Sequence, residues 1–558
     1  MKSSDLFVKC LESEDVDYIF GLPGEENADL MMSLLNSKIK FILTRHEQSA
    51  AFMADVYGRI TDKVGVCLAT LGPGATNLTT GIANANMDRS KVLAITGQTD
   101  TNLLHKESHQ NMDVITMFKP ITKWNWSIRN ADSIPEIIRR AFKLSVEEKA
   151  GATHIELPQD IAKMESNMLP IPKKQVLRSL PNMFLIKKTV KLILEAKKPL
   201  ILVGNGCIRG NSTFYVRKFA EMTGICSMNT FMGKGVISDK SERHLQTIGI
   251  QEADHALIAM KDADLVIAVG YDLVEYSPKF WNSELDKKII HIDFTPAEVD
   301  TYYPPIVEIA ADIELTIDSI LLELEKEKKA NPQINCYPHR DMPELFKKIK
   351  KQVVQKILDY QNDTSYPIKP EKIVTDVRRL LDEEDIVISD VGVHKLWIAK
   401  IYDTYNPNTC IIPNGFCSMG FSVPGAIAAQ LVFPNKTIVV MCGDGAFLMN
   451  IQELETAVRL KLPIIIIVWC DNEFGLIALK QEMEFGQTCF TKFRNPDFVK
   501  LAESFGAIGY KVNSTDEFLS SLDKAKQSEN TPVIIAVDVD CSRNSILLND
   551  EYCNLPSK

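Results

Sequence analysis

The chain has 558 residues, 45% hydrophobic and 24% charged, with a formal net charge of -10; at this length one core is excluded, and about three to four domains are expected. The acidic balance argues against a nucleic-acid partner, which needs a concentrated basic face, and no apolar run of about 18 residues offers a membrane span. Twelve cysteines lie scattered without a CxxC pair or Cys/His cluster, and the charged start MKSSDLFVKCLESEDVDYIF has no signal-peptide core, so the expected location is the cytoplasm.

Apolar strands and amphipathic helices alternate throughout, which predicts an α/β fold of three doubly wound parallel-sheet domains. In the first segment, 1–170, the turns IFGLPGEEN (19–27) and GPGATN (72–77) carry glycines, and TRHEQSAAFMADVYGRIT places Glu47 in the first turn of a helix. Taken alone, Glu47 reads as a helix N-terminal charge complementing the dipole. The stretch MLPIPKKQVLRSLPNM (168–183), rich in Pro and Lys, reads as a linker. A second segment, 185–330, begins with KPLILVGNGCIRG, a strand followed by a glycine turn. GNGCIRG misses the GxGxxG dinucleotide spacing by one residue and reads as a structural turn of a Rossmann-like middle domain. The polar EKEKKANPQINCYPHRDMP (325–343) reads as a second linker.

The third segment, 345–545, opens with KKIKKQVVQK (347–356), which predicts an amphipathic helix with Ile349 and Val353 on one side. It then holds VVMCGDGAFLMN (439–450), a strand with a helix expected from about Leu448, and LPIIIIVW (462–469). The latter is short and β-branched, as a buried parallel strand should be. The order strand, GxG turn, helix, strand in this segment repeats one in VCLATLGPGATNLTTGIANANMDRSKVLAITGQ of the first. Doubly wound sheets also produce such a parallel by reusing the same turn.

The acid of the GDG turn decides between readings. A strand ending in glycines before a helix lets main-chain amides approach phosphate oxygens. A carboxylate beside a diphosphate is repulsive unless a cation lies between them, and Mg2+ suits that place, taking one or two protein oxygens plus phosphates and waters. A second ligand is expected at the end of the neighbouring strand, where Asp471 and Asn472 follow Gly445 after 25 intervening residues.

The pattern GDG–(25 residues)–DN closely resembles the thiamine-diphosphate motif of the pyruvate-oxidase and decarboxylase superfamily, usually written GDG followed by NN. Asp471 replaces the first Asn, at a position not expected to bind the metal. The resemblance implies thiamine diphosphate seated on Gly443, Asp444, Gly445 and Ala446, with Mg2+ held by Asp444, the Asn472 side chain and the Phe474 carbonyl. RHEQSAAFMADVYGRIT is similar to the signature around the family's catalytic glutamate, which makes Glu47 the acid serving the cofactor's aminopyrimidine ring. Gly24, Gly72 and Pro73 match the flanking cofactor-binding motifs. Met419, in NGFCSMGFSVPGA, matches the bulky residue that props the cofactor in a bent shape; alone it reads equally as a core methionine. The family builds each site from two subunits, so a homodimer or homotetramer is implied.

Within the superfamily, TDTNLLHKESHQNMD (99–113) carries His109–Gln110 where pyruvate decarboxylases carry two histidines. An amide positions a substrate but does not titrate, and this pair resembles the acetolactate synthases, the catabolic kind above all. GYDLVEYSPKFWN (270–282) and ELETAVRLKLP (453–463) follow the catabolic form, and the absence of the biosynthetic enzymes' arginine-containing stretch implies that FAD is not bound. Lys480 departs from the pattern, standing where catabolic enzymes place Gln and biosynthetic ones Trp, and NGFCSMGFSVPGA is nearer the biosynthetic loop. The implied reaction joins the two-carbon remainder of pyruvate to pyruvate or another 2-oxo acid, with Gln110 and Lys480 as expected substrate contacts. The alternatives are a decarboxylase releasing an aldehyde and a flavin-linked pyruvate oxidase.

Overall fold

The computed structural model describes residues 1–249, 255–331 and 341–547. The first sheet is built from β1 (Tyr18–Gly21), β2 (Lys40–Leu43), β3 (Gly65–Ala69), β4 (Val92–Gln98), β5 (Trp124–Ser127) and β6 (Ala152–Pro158). The second uses β7 (Pro199–Val203), β8 (Cys226–Asn229), β9 (His244–Thr247), β10 (Leu265–Val269), β11 (Lys288–Asp293) and β12 (Val307–Ala310). The third uses β13 (Ile386–Ser389), β14 (Cys410–Ile411), β15 (Ile438–Gly443), β16 (Ile465–Cys470), β17 (Ile508–Val512) and β18 (Val533–Asp538). Strand partners within each sheet run parallel, as crossover helices on both faces require.

Sheet one has the order β2-β1-β3-β4-β6-β5 and sheet three β14-β13-β15-β16-β18-β17. Numbered from their own first strands, the two orders are identical, so the recurring strand–turn–helix pattern reflects the same winding used twice. Sheet two, β12-β11-β10-β7-β8-β9, is the 3-2-1-4-5-6 order of a Rossmann domain. In sheets one and three the direction of winding reverses between β1 and β3 and between β13 and β15. Ligand crevices of open α/β sheets lie at such switch points, beyond the strand C-termini.

The predicted strand in LPIIIIVW runs from Ile465 to Cys470, starting after Pro463, and all six residues are buried. The predicted amphipathic helix spans Glu344–Gln361, with Ile349 and Val353 buried. Residues 166–182 form neither helix nor strand. The expected linker over 325–343 is different: residues through 330 end the helix Ile313–Ala330. Glu and Lys are good helix formers, and Lys326 reaches back one turn to Glu323. Residues 332–340 of that stretch lie outside the described residues.

One helix joins sheets one and three. In Glu47–Thr61 every residue from Ser49 to Gly58 is buried, because one side meets its own sheet and the other meets the helix Ser422–Val432. Small residues allow close packing on this helix: a Cβ on Gly425 of Ser422–Val432 would stand 2.8 Å from Val56, and one on Gly81 of the neighbouring helix Pro73–Met87 2.4 Å from the Ala51 Cβ. Phe52 and Phe421 meet edge-on at 5.6 Å; each fully buried Phe contributes roughly 1.5–3 kcal/mol. Arg59 closes the seam, paired with the buried Asp55 and Asp88.

Candidate functional site

β15 ends at Gly443, paired in register with Trp469 of β16. Asp444 and Asp471 therefore leave adjacent strands side by side. A four-residue helix begins at Asp444 itself, and the next starts at Glu453, so the helix expected from about Leu448 begins earlier and is interrupted. The Asp444 side chain is 1% exposed. Its Oδ1 accepts the Gly445 N–H at 2.7 Å, and its Oδ2 accepts N–H groups of Asp471 (3.1 Å), Asn472 (2.8 Å) and the Asn495 amide (2.6 Å). All four donors are neutral. Burial, and then the neighbouring Asp444, push the Asp471 carboxyl well above the ordinary carboxylate range, so two acids crowd a corner with no cation beside them among their hydrogen-bond partners.

Asn472 sits in the left-handed region, φ 57°. Its carbonyl accepts the Phe493 N–H at 3.0 Å, and its Oδ1 accepts the Asn495 amide at 3.1 Å. Phe474 follows with its N–H on the Thr491 carbonyl at 2.9 Å. Gly445 admits the ring of Phe474, which a Cβ there would meet at 2.8 Å. Among the described residues no three His, Cys, Asp or Glu side chains form a metal cluster. An ion at Asp444 would therefore draw on a carboxylate, an amide oxygen and a main-chain carbonyl, the oxygen donors a hard divalent cation takes. Two buried polar atoms without partners fit an additional group here: Asn495 Oδ1, and His394 Nε2 on the helix that starts at the other side of the switch point. His394 packs against Gly392 and Gly443, and burial holds its imidazole down to about 3, hence neutral.

On sheet one, the helix bearing Glu47 is capped by His46, whose ring nitrogen accepts the Gln48 N–H at 3.1 Å. Glu47 is half-buried; its Oε2 accepts the Asn77 amide at 2.9 Å. Gly24, after β1, lies against Thr70, where a Cβ would meet that side chain at 2.4 Å. Gly72 precedes Pro73, the first residue of the helix Pro73–Met87, and packs on Gln110. His109 and Gln110 are exposed, Met419 is half-buried, and Lys480 is exposed on the helix Gly475–Phe485.

The sequence reading missed the residues that tie these parts together. Glu453, fully buried, accepts the Arg45 and His46 N–H groups at 2.9 and 3.1 Å, fixing the entry to the Glu47 helix. Asn450 accepts the Ser49 hydroxyl at 3.1 Å and donates to the Gly420 carbonyl at 2.8 Å. Asp390, at the end of β13, accepts the N–H groups of Gly420 and Ser422, both at 2.9 Å, and so holds the loop bearing Met419. Burial raises the Asp390 carboxyl above its ordinary value, and those donors restrain the rise. Asp390 again places an acid directly after a strand, with Gly392 following one residue later than in GDG, a signal that was available.

Models of three families match in succession: the thiamine pyrophosphate enzyme N-terminal TPP binding domain over residues 1–117, the central domain over 186–320, and the C-terminal TPP binding domain over 390–537. Acetolactate synthase of Bacillus subtilis (strain 168) is 35% identical, covering 99% of this chain and 95% of its own. A probable acetolactate synthase large subunit of Methanococcus aeolicus is 33% identical over 94% and 90%, and the catabolic acetolactate synthase of Raoultella terrigena 31% over 98% and 96%. The chain belongs to the acetolactate synthase family of thiamine pyrophosphate enzymes. Within that family the two switch-point crevices correspond to the two TPP binding domains, and the Rossmann sheet to the central one.

Proposed function

We infer that this chain is an acetolactate synthase: it decarboxylates pyruvate and joins the remaining two-carbon unit to a second 2-oxo acid, giving 2-acetolactate and CO2 when that acid is pyruvate. The observation that carries the reading is the pair of equivalent switch points, one reached by the Glu47 side chain, which bonds Asn77 on the helix after β3, and the other bearing Asp444, in a chain similar to acetolactate synthases over nearly its whole length. On this reading 1–170, 185–330 and 345–545 are the pyrimidine-binding, middle and diphosphate-binding domains.

Thiamine diphosphate, when bound, supplies the electron sink that decarboxylation of a 2-oxo acid needs. Asp444, the Asn472 side chain and the Phe474 carbonyl would hold Mg2+ against the diphosphate, with amides near Gly443–Ala446 and the neutral His394 addressing phosphate oxygens. Glu47 holds and returns a proton; the Asn77 amide engages its Oε2 and leaves Oε1 for the pyrimidine. Met419 props the cofactor, and Gln110, His109 and Lys480 address the substrates. A lysine ammonium suits the carboxylate of the acceptor acid.

A homodimer or homotetramer is part of the proposal. The helix Gly475–Phe485 fully buries only Ala478, leaving Ile477, Met483 and Phe485 exposed beside the site, with Phe416, Met449 and Phe490 also outward. An apolar surface of this kind calls for a covering partner. FAD is not part of it: Glu275 Oε1 accepts the Asn205 N–H at 3.0 Å, occupying the turn after β7 where a Rossmann domain takes a dinucleotide phosphate. Among the described residues no helix is long and apolar enough to cross a membrane, and the cysteines there are free thiols, in keeping with a cytoplasmic enzyme.

The test is product identification after incubating purified chain with pyruvate, Mg2+ and thiamine diphosphate, without flavin. Acetolactate and CO2 are expected. Acetaldehyde alone would make it a decarboxylase, and acetate with a reduced acceptor an oxidase or dehydrogenase.

A further inference from the structure

We propose that Asn495 is a positioning residue for the magnesium site, orienting Asp444 and Asn472 together through its single amide nitrogen. The inference rests on the assignment of those two residues to Mg2+ made above. An amide nitrogen carries two hydrogens, and both are used here: one meets Asp444 Oδ2 at 2.6 Å, the other Asn472 Oδ1 at 3.1 Å. The first contact completes three donors on Asp444 Oδ2 and commits that oxygen to the protein, leaving Oδ1, with one local N–H, as the oxygen for an ion. The second selects the rotamer of Asn472, because only its oxygen can face the Asn495 nitrogen. The Asn472 oxygen is thereby held beside Asp444 before any ion arrives.

Asn495 is itself fixed from both sides. Glu473 and Lys492 form an antiparallel bridge upstream of it. Downstream, Pro496 restricts it to extended backbone, and Asp497 caps the helix Phe498–Phe505 by accepting the Val499 and Lys500 N–H groups. Its own Oδ1 is buried without a partner, so one half of the side chain is invested in the two ligands and the other half has no packing partner among polar groups. Outer groups that orient metal ligands typically change affinity about 10- to 100-fold when removed.

The experiment titrates the metal-free full chain with Mg2+ at saturating thiamine diphosphate, following fluorescence; Trp469, paired with Gly443, is a near reporter. Asn495→Leu keeps the side-chain shape without the donors, and Asn495→Ala serves if leucine is not accommodated. Both should raise the Mg2+ dissociation constant about 10- to 100-fold. The metal-free melting temperature and the KM for pyruvate at saturating Mg2+ should stay near those of the parent. Unchanged Mg2+ affinity in both variants overturns the proposal alone, as does a loss of metal-free stability with affinity intact. Absence of Mg2+ binding by the parent chain overturns it together with the magnesium reading beneath it.

Discussion

Gly72 adopts φ 52°, and its α-carbon lies so close to Gln110 that a Cβ would stand 2.8 Å from the Gln110 carbonyl oxygen and 2.9 Å from its Cβ. Gln110 is also left-handed, φ 54°. The turn after β3 and the loop carrying Gln110 therefore specify one another. Gly72→Ala imposes a disfavoured backbone and displaces Gln110 together, costing more than about 1 kcal/mol of stability. If Gln110 addresses substrate, KM for pyruvate should rise while thiamine diphosphate is retained; calorimetric melting and steady-state kinetics read the two effects.

Glu47→Gln keeps the acceptor that Asn77 Nδ2 engages at 2.9 Å and removes only the titrating carboxyl. Turnover should fall by about 10²–10⁴, the usual contribution of a positioned acid or base. Cofactor affinity should hold, since the diphosphate contacts lie on the other sheet. Stopped assays and cofactor titration on the same preparation separate these effects, and unaltered turnover would remove Glu47 from the catalytic role.

The architecture was legible in the sequence because buried parallel strands write themselves as runs such as Ile465–Val468, and crossover helices separate them. GDG–DN was legible because adjacent strands place their ends together whatever lies between. What escaped were contacts decided by tertiary packing. Nothing local in Asn495 marks it as reaching Asp444, 51 residues away, and Glu453 reads as an ordinary first-turn acid until the Arg45 and His46 amides arrive from another sheet. The helix start was misplaced because Asp444 takes helical backbone directly after the strand.

Asp444→Ala removes the acceptors for four N–H groups at once as well as the proposed ion ligand. Cofactor binding, not only turnover, should be lost. At a ligand concentration of 100 times Kd, a bound cofactor stabilises a protein by about 2.7 kcal/mol. The parent chain should therefore melt measurably higher with Mg2+ and thiamine diphosphate present, and the variant should show no such rise.

Glu275 gives the chain a pH dependence of stability that is separate from its chemistry. It is buried between Thr230, which donates to its Oε2, and the Asn205 N–H on Oε1. Burial pushes its carboxyl from the ordinary 4.5 up to about 7, with Thr230 and Asn205 restraining the rise, Asp272 adding to it and Arg209 opposing it. The folded state therefore binds this proton more tightly than the unfolded chain does. Its stabilising contribution is complete below about pH 4.5 and is lost as pH rises through about 7, amounting to about 3 kcal/mol over that window. Glu275→Gln cannot ionise, and its amide can donate to Thr230 while its oxygen accepts from Asn205. Asp293, raised by burial to about 6, slopes the same way in both proteins, so the informative quantity is their difference. Chemical denaturation at pH 5 and pH 8 should show the variant gaining on the parent by up to about 3 kcal/mol at the higher pH; equal slopes would mean that Glu275 ionises in the fold as it does in water.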